Sequence, residues 1–233
     1  MTNAIKTYLI NLDRNPERLA HMQAVLGGLG IEYERIAGVD GKALSAEEKA
    51  KSFNARRSYI ANKGGMSDGE IGCALSHVKV YRAMVGAAVE VALILEDDIK
   101  LSPDIGEALV EIKGLIDVKK PQVVSLSCLY NNDKCADARG LVSQKSMCST
   151  DGYVITLPAA KAIIKENYPV KVPSDKWRRF SKYAGVKLFR FFPPKVAQVG
   201  FASTITNRHE SLSGVKKRWL YLEDWFLSRI LGR

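Results

Sequence analysis

The chain has 233 residues and a formal net charge of +10, with 46% of its residues hydrophobic and 26% charged. This composition is ordinary for a globular protein, and the length suits one sizeable core or two modest lobes. No apolar run approaches the roughly 20 residues that a membrane span needs, and charged residues come too early for a signal peptide, so we expect a cytoplasmic protein.

The first predicted elements form a βαβ unit. KTYLIN has the mostly apolar character of a buried strand, and Asn15 followed by Pro16 is typical of a helix start. Apolar residues then recur at helical spacing until Gly30 ends the helix. IEYERI has the pattern of a second strand.

Two capping boxes predict the next two helices. Ser45 has Glu48 three residues later, and Ser67 has Glu70 in the same relation. We expect a short helix after Ser45 that Gly64 breaks, and a longer helix after Ser67 with an apolar face.

Strands and helices continue to alternate through the second half of the chain. We predict strands at residues 89–95, in QVVSLS and at residues 152–158, with helices starting near Ser102 and covering residues 159–167. This alternation predicts an α/β fold with a largely parallel sheet, whose ligand sites lie beyond the carboxyl ends of the strands. With no composition break, residues 1–210 are expected to form one domain.

Three consecutive acids follow the apolar strand VALIL. Glu96, Asp97 and Asp98 would repel one another, so a positive group should neutralise them. Mg²⁺ or Mn²⁺ prefers oxygen ligands and is usually held by one or two carboxylates together with substrate phosphates. The sequence therefore favours a metal–diphosphate site, and the alternative is a solvated strand end with Asp97 or Asp98 paired to a lysine such as Lys100.

Four motifs in order give the chain a recognisable pattern. YLINLDRNPERL, GEIGCALSHVKVYRAMV, ALILEDD, and GYVI with PSD together resemble glycosyltransferase family 25 over residues 6–205. The resemblance implies a GT-A type α/β fold, a nucleotide-sugar donor, a divalent metal and inversion at the sugar carbon. The EDD triplet would take the place of the DxD motif.

The resemblance also implies site residues. Asp98 would bind Mn²⁺ or Mg²⁺, with Glu96 or Asp97 assisting the metal or facing the donor ribose. Arg18 either contacts a donor phosphate or forms a surface ion pair, and His209 is either a late metal or phosphate ligand or a surface histidine. The predicted donor-binding residues are Asn11, Arg14, Arg18, Ser76, His77, Glu96 and Asp97, and the predicted metal ligands are Asp98, Glu96 and His209.

An inverting transfer needs a base for the acceptor hydroxyl proton. Asp175, in PSDKW, corresponds to a Pro-x-Asp element of the family, and Asp151 precedes the GYVI strand. We prefer Asp175, although PSDKW departs from the fuller family pattern. Asp175 could instead cap a helix.

Positive charge and aromatic residues are concentrated late in the chain. Residues 176–195 hold seven basic and six aromatic side chains and no acid, which predicts an anionic partner. Residues 211–233 are expected to form a basic amphipathic helix that either lies on an anionic membrane surface or docks on the body.

The leading hypothesis is a transferase that moves a hexose, with galactose preferred, from a UDP-sugar to a lipid-linked oligosaccharide of the lipopolysaccharide or lipooligosaccharide type. It would work in the cytoplasm, with peripheral attachment to the inner membrane as an option. A nucleotidyltransferase is an alternative. A nucleic-acid-binding protein is another, but it leaves the EDD triplet unexplained, so we expect no nucleic-acid partner.

The four cysteines form no CxxC pair and are interpreted as reduced thiols, with a disulfide as an alternative.

Overall fold

The computed structural model describes residues 5–62, 64–127 and 138–200. His209, residues 211–233 and the predicted domain boundary therefore lie outside the described residues. The strands are β1 (Lys6–Asn11), β2 (Glu34–Ala37), β3 (Val91–Leu95), β4 (Ile99–Leu101), β5 (Gln122–Ser125), β6 (Gly140–Gln144), β7 (Gly152–Thr156), β8 (Lys187–Phe192) and β9 (Val196–Gln198). The helices are α1 (Pro16–Gly28), α2 (Ala46–Ser52), α3 (Ala55–Asn62), α4 (Asp68–Gly86), α5 (Ile105–Leu115), α6 (Leu157–Asn167) and α7 (Trp177–Ala184).

The central sheet has seven strands in the order β2-β1-β3-β7-β5-β8-β6. Strands β2, β1, β3, β5 and β8 run in one direction, while β7 and β6 run against their neighbours. The predicted α/β fold with a mostly parallel central sheet flanked by helices is therefore confirmed. The GYVI strand, β7, is one of the two reversed strands.

Both faces of the sheet are covered because successive strand residues point to opposite sides. Leu9 of β1 packs on one side with Met22 and Leu26 of α1. Tyr8 and Ile10 point to the other side and join the core formed with α4 and α6. The near-continuous apolar runs of β1 and β3 follow from this double burial.

The two capping boxes are present as predicted. The Ser45 hydroxyl accepts from the Glu48 N–H at 3.2 Å, and the Ser67 hydroxyl accepts from the Glu70 N–H at 3.3 Å. The segment before Gly64, however, contains two helices rather than one, because the chain is extended at Phe53 between α2 and α3. The helix predicted to start near Ser102 begins at Ile105.

The turn at residues 38–41 packs very closely on the start of α4. A Cβ atom on Gly41 would lie 1.8 Å from the Asp68 carbonyl oxygen, and one on Gly72 would lie 2.5 Å from the Val39 carbonyl oxygen. Only glycine allows two backbone segments to come this near. The contact fixes the turn beside the carboxyl end of β1.

The described residues include no helix long and apolar enough to cross a membrane. Within the same part of the chain, Cys73 and Cys148 are reduced cysteines, as predicted for them.

Candidate functional site

The carboxyl ends of β1 and β3 meet at one edge of the sheet. Leu9 is paired in register with Leu95, which brings the residues that follow each strand side by side. The Asn11 side-chain amide donates to Asp97 Oδ2 at 2.7 Å, and both side chains are buried. Asn11 therefore fixes the orientation of the central acid of the EDD triplet.

Arg18 is the cation of this edge. It reaches from α1, is only 6% exposed, and its Nη1 donates to Asp97 Oδ1 at 3.1 Å and to Asp98 Oδ2 at 3.4 Å. Arg18 is therefore a buried cation rather than the surface charge of the alternative prediction, and Arg18, not Lys100, forms the described ion pairs with Asp97 and Asp98. A buried charge has to be paired, and Arg18 meets two carboxylates at once.

Glu96 takes part in a different hydrogen-bond network. Its Oε1 lies 3.2 Å from His77 Nε2 and accepts from the Thr150 hydroxyl at 2.6 Å. Burial opposes ionisation of this carboxyl, but the hydrogen bonds with His77 and Thr150, together with the charges of His77 and Arg18, outweigh it and lower its pKa. Glu96 is thus held as a carboxylate at the wall of the cleft.

Asp98 has the opposite electrostatic situation. Burial, and then the charge of Glu96, raise its pKa to about 6, and Arg18 offsets this only in part. Its Oδ1 is buried without a hydrogen-bond partner among the described residues. An orphaned carboxylate oxygen beside two other acids is a setting that suits a hard divalent cation.

A second set of potential ligand atoms lies next to Asp98. Cys73 Sγ, a ring nitrogen of His77 and a Glu96 carboxylate oxygen lie within 4.8 Å of one another. Glu96 therefore belongs to both groups of atoms that could hold a metal.

One cleft collects every predicted donor-binding residue and the predicted metal ligand Asp98. Its lining also includes Asp40, Lys42, Cys73 and Gln198, which the sequence analysis did not single out. The predicted residues along it are Asn11, Arg14, Arg18, Ser76, His77, Glu96, Asp97 and Asp98. We call this the donor cleft below, and the individual roles of these residues remain predictions.

Two of these residues shape the donor cleft through the turn at residues 38–41. The Ser76 hydroxyl accepts from the Val39 N–H at 2.8 Å and donates to the Gly72 carbonyl at 2.7 Å. Arg14 forms an ion pair with Asp40 across the cleft mouth. Ser76 therefore acts on the backbone of the turn, whereas Arg14 keeps a partly exposed guanidinium at the opening.

The two candidate bases occupy different environments. Asp151 is 1% exposed, accepts from Ser127 and from the Gly152 N–H, and does not line the donor cleft. Burial raises its pKa. Asp175 is exposed and lines a second cleft beside α7.

The alternative role of Asp175 as a helix cap is not observed. The residue before α7 is Lys176, and no side chain caps that helix. The neighbouring Ser174 hydroxyl is 3.2 Å from Cys73 Sγ, so Asp175 follows directly on a residue that touches the donor cleft.

Sequence reasoning missed residues that act through distant contacts. Thr150 holds Glu96, and Arg35 donates from its Nε to Asn11 Oδ1 at 3.0 Å. Gln198 enters the donor cleft from β9, and its neighbour Val199 donates its N–H to the Asp98 carbonyl at 2.9 Å. No local pattern marks these residues, because each contact depends on how the sheet assembles.

Comparison with known proteins identifies the family. The model of glycosyltransferase family 25 (LPS biosynthesis protein) matches residues 4–177. The chain belongs to glycosyltransferase family 25.

Relatives of this family 25 chain come from animals and bacteria. A glycosyltransferase 25 family member of Drosophila pseudoobscura pseudoobscura is 31% identical over 183 residues, covering 73% of this chain and 29% of that protein. Human procollagen galactosyltransferase 2 is 27% identical, with 73% and 29% covered. A putative glycosyltransferase of Haemophilus influenzae is 28% identical over 211 residues, with 83% and 70% covered. The chain thus spans less than a third of the length of the two animal relatives.

Proposed function

We propose that this family 25 chain is an inverting, metal-dependent glycosyltransferase that moves a hexose from a UDP-sugar to an oligosaccharide acceptor. The observation that carries the proposal is the donor cleft. Residues from β1, α1, α4 and the end of β3 converge there on three carboxylates, one of which keeps a buried oxygen without a partner.

The chain's own residues would bind the donor in two ways. Arg14 and Lys42 line the cleft and offer positive charge to a diphosphate. Asn11 and Arg18 hold Asp97 in place, and His77 and Thr150 hold Glu96, so the acids are oriented before a ligand arrives.

A divalent cation fits the residues present. Asp98 and Glu96 would hold Mn²⁺ or Mg²⁺, because the ion would satisfy the buried Asp98 oxygen and offset the repulsion among the acids. When bound, the ion would neutralise charge on the donor diphosphate as the nucleotide leaves. His209, the third predicted ligand, lies outside the described residues.

Asp175 is the better candidate for the base. A base must come within hydrogen-bond distance of the acceptor hydroxyl, and Asp175 is exposed on a cleft whereas Asp151 is enclosed by protein. Asp151 instead supports the edge of the site, since its carbonyl accepts from the Glu96 N–H at 2.9 Å.

We further propose that the transferred hexose is galactose and that the acceptor is of the lipopolysaccharide type. The name of the human relative, procollagen galactosyltransferase 2, supports galactose as the hexose. The family description refers to LPS biosynthesis, which supports a lipid-linked oligosaccharide acceptor, and work at the cytoplasmic face of the inner membrane is a further part of the proposal. Attachment of the protein to the membrane surface through residues 211–233 stays a prediction.

The first experiment is calorimetric titration of UDP, with and without Mn²⁺, into the wild type and Asp98→Ala. We expect binding that needs Mn²⁺ and is lost in the variant. Release of UDP from UDP-galactose, UDP-glucose and UDP-N-acetylglucosamine would then rank donors, and NMR of the product would report the anomeric configuration. If UDP binds under no metal condition, the proposed donor is wrong.

A further inference from the structure

The described part of the chain has a second cleft, on the far side of Ser174 from the donor cleft. One wall is formed by residues 146–148 and the other by α7 and the two residues before it. We call it the α7 cleft. Basic side chains from α7 and the residue before it are prominent in its lining, and Tyr183 also lines it.

Most of the positive charge in the α7 cleft is uncompensated. Lys176, Arg178 and Lys182 line it and form no ion pair with a carboxylate among the described residues, while Asp175 is the one acid in its described lining. Solvated basic residues are common on protein surfaces. Three of them around a concave surface, with a single acid, create a field that favours an anionic ligand.

The carboxylate of Glu166, which lies against Arg179, is not available to compensate this charge either. Glu166 already accepts from Arg179 at 3.0 Å and lies 3.3 Å from Lys171. Burial lowers the pKa of Lys171, and the charges of Arg179 and Arg57 lower it further. The positive excess therefore extends behind the cleft wall.

The α7 cleft also has a rigid base. Trp177 is fully buried and its indole N–H donates to the Ser149 carbonyl at 2.7 Å. Its ring packs edge-on against Tyr153 at 5.2 Å between centroids. Tyr183, by contrast, is 55% exposed, with Arg179 and Lys182 against its ring at 4.7 and 4.8 Å from the centroid. An exposed aromatic ring and cations thus share one surface.

A short chain of side chains joins the two clefts. Glu96 accepts from Thr150 at 2.6 Å, and the Thr150 hydroxyl lies 3.4 Å from that of Ser174. Asp175 is the next residue. A ligand in the α7 cleft would therefore sit close to the donor cleft and against the candidate base.

We propose that the α7 cleft is an acceptor subsite that binds a phosphate-bearing saccharide, with Lys176, Arg178 and Lys182 contacting the phosphate and Tyr183 contacting a sugar ring. This inference rests on the proposed function, because it makes the second cleft the place from which the acceptor reaches the donor. It adds that the acceptor carries negative charge near the hydroxyl that is glycosylated.

The test uses glucose 6-phosphate, glucose and inorganic phosphate as probes in NMR titrations of the labelled protein. We expect glucose 6-phosphate to bind more tightly than inorganic phosphate, and glucose to bind more weakly than either. The double variant Arg178→Glu/Lys182→Glu should lose at least tenfold in affinity for glucose 6-phosphate. The matched control is Lys119→Glu, a charge reversal at an exposed residue just before β5 that does not line the α7 cleft, which should bind like the wild type.

Three results would overturn the proposal that the α7 cleft is an acceptor subsite. The first is unchanged glucose 6-phosphate affinity in the double variant, and the second is equal binding of glucose and glucose 6-phosphate. The third is a protein that binds vesicles of phosphatidylglycerol and phosphatidylcholine but not glucose 6-phosphate. If the double variant also lost that vesicle binding, the α7 cleft would be a membrane contact. Titration of UDP with Mn²⁺ into the same proteins separates the two proposals: the double variant should retain UDP binding, and absence of UDP binding in every protein would count against the donor site alone.

Discussion

His77 Nε2 lies 3.2 Å from Glu96 Oε1 and links the middle of α4 to the end of β3. The other ring nitrogen is 2.8 Å from the Tyr153 hydroxyl, which is itself 2.7 Å from the Tyr81 hydroxyl. Because the imidazole is held on both sides in a buried position, it can fix the direction of the Glu96 carboxylate.

Replacing His77 is expected to weaken donor binding without unfolding the protein. In His77→Ala, Glu96 loses one of the two hydrogen bonds that lower its pKa and orient it, so we expect about a tenfold loss of UDP affinity in Mn²⁺, corresponding to ~1.4 kcal/mol. Calorimetry measures the loss, and thermal unfolding checks the fold. Tyr81→Phe, which removes only the outermost hydroxyl of the network, should bind UDP within about twofold of the wild type. Wild-type affinity in a folded His77→Ala would refute the role of the imidazole.

Asp98→Asn is expected to stabilise the metal-free protein at neutral pH. The pKa of Asp98 is raised to about 6 in the fold, so its ionised form is disfavoured there and stability falls as the pH rises towards and through that value. Asparagine removes this cost, and after allowance for partial solvent screening we expect a gain of about 1 to 2 kcal/mol at pH 8. Urea unfolding in EDTA at pH 8 and pH 4 measures it.

The pH comparison supplies the control for Asp98→Asn, since the gain should shrink at pH 4, where the wild-type carboxyl is largely protonated. Adding Mn²⁺ should raise the melting temperature of the wild type and leave that of the variant nearly unchanged. A variant that is less stable than the wild type at pH 8 in EDTA would mean that Asp98 is already satisfied without an ion.

Arg18→Leu is expected to cost about 3 to 5 kcal/mol of unfolding free energy in EDTA, because it leaves the buried Asp97 and the partly buried Asp98 without their cation. Mn²⁺ should restore part of this loss, and it should raise the unfolding free energy of the variant by more than that of the wild type. Arg14→Leu is the matched control: its guanidinium is 43% exposed and pairs with Asp40, so we expect a change below about 1 kcal/mol. Equal losses in the two variants would show that Arg18 is an ordinary surface charge.

Gly72→Ala is expected to push the turn at residues 38–41 away from α4. The added methyl would meet the Val39 carbonyl at 2.5 Å and the Gly41 nitrogen at 2.6 Å, and neither is a flexible side chain. We expect a loss of about 2 kcal/mol in stability and a weaker UDP affinity. Gly86→Ala, on the same helix with no atom within 4 Å of the new methyl, should match or exceed the wild type in stability. A wild-type UDP affinity in Gly72→Ala would mean that the turn does not shape the donor cleft.

The sequence predicts those parts of the fold that depend on short-range chemistry. The capping boxes at Ser45 and Ser67 and the apolar runs of β1 and β3 are complete within a few residues, and all of them are found. Since parallel strands end at the same edge, the meeting of Asn11 with the EDD triplet also follows from the order of elements.

The missed features depend on contacts between distant parts of the chain. β8 lies in the basic segment and includes Arg190, a charged residue that is buried, so its composition does not resemble that of a core strand. β4 and β9 have three residues each and pair with one another across almost a hundred residues of sequence. The pairing of Arg18 with Asp97, 79 residues away, and the burial of Asp151 are likewise set by assembly.

Glu96 is shared between the donor cleft and the side-chain chain that leads through Thr150 and Ser174 to the α7 cleft. A ligand that turns this carboxylate on one side changes the hydrogen bonds available on the other. Occupancy of the two clefts is then energetically linked, and by thermodynamic necessity the influence is equal in both directions. Each substrate would in that case change the affinity for the other through a single side chain.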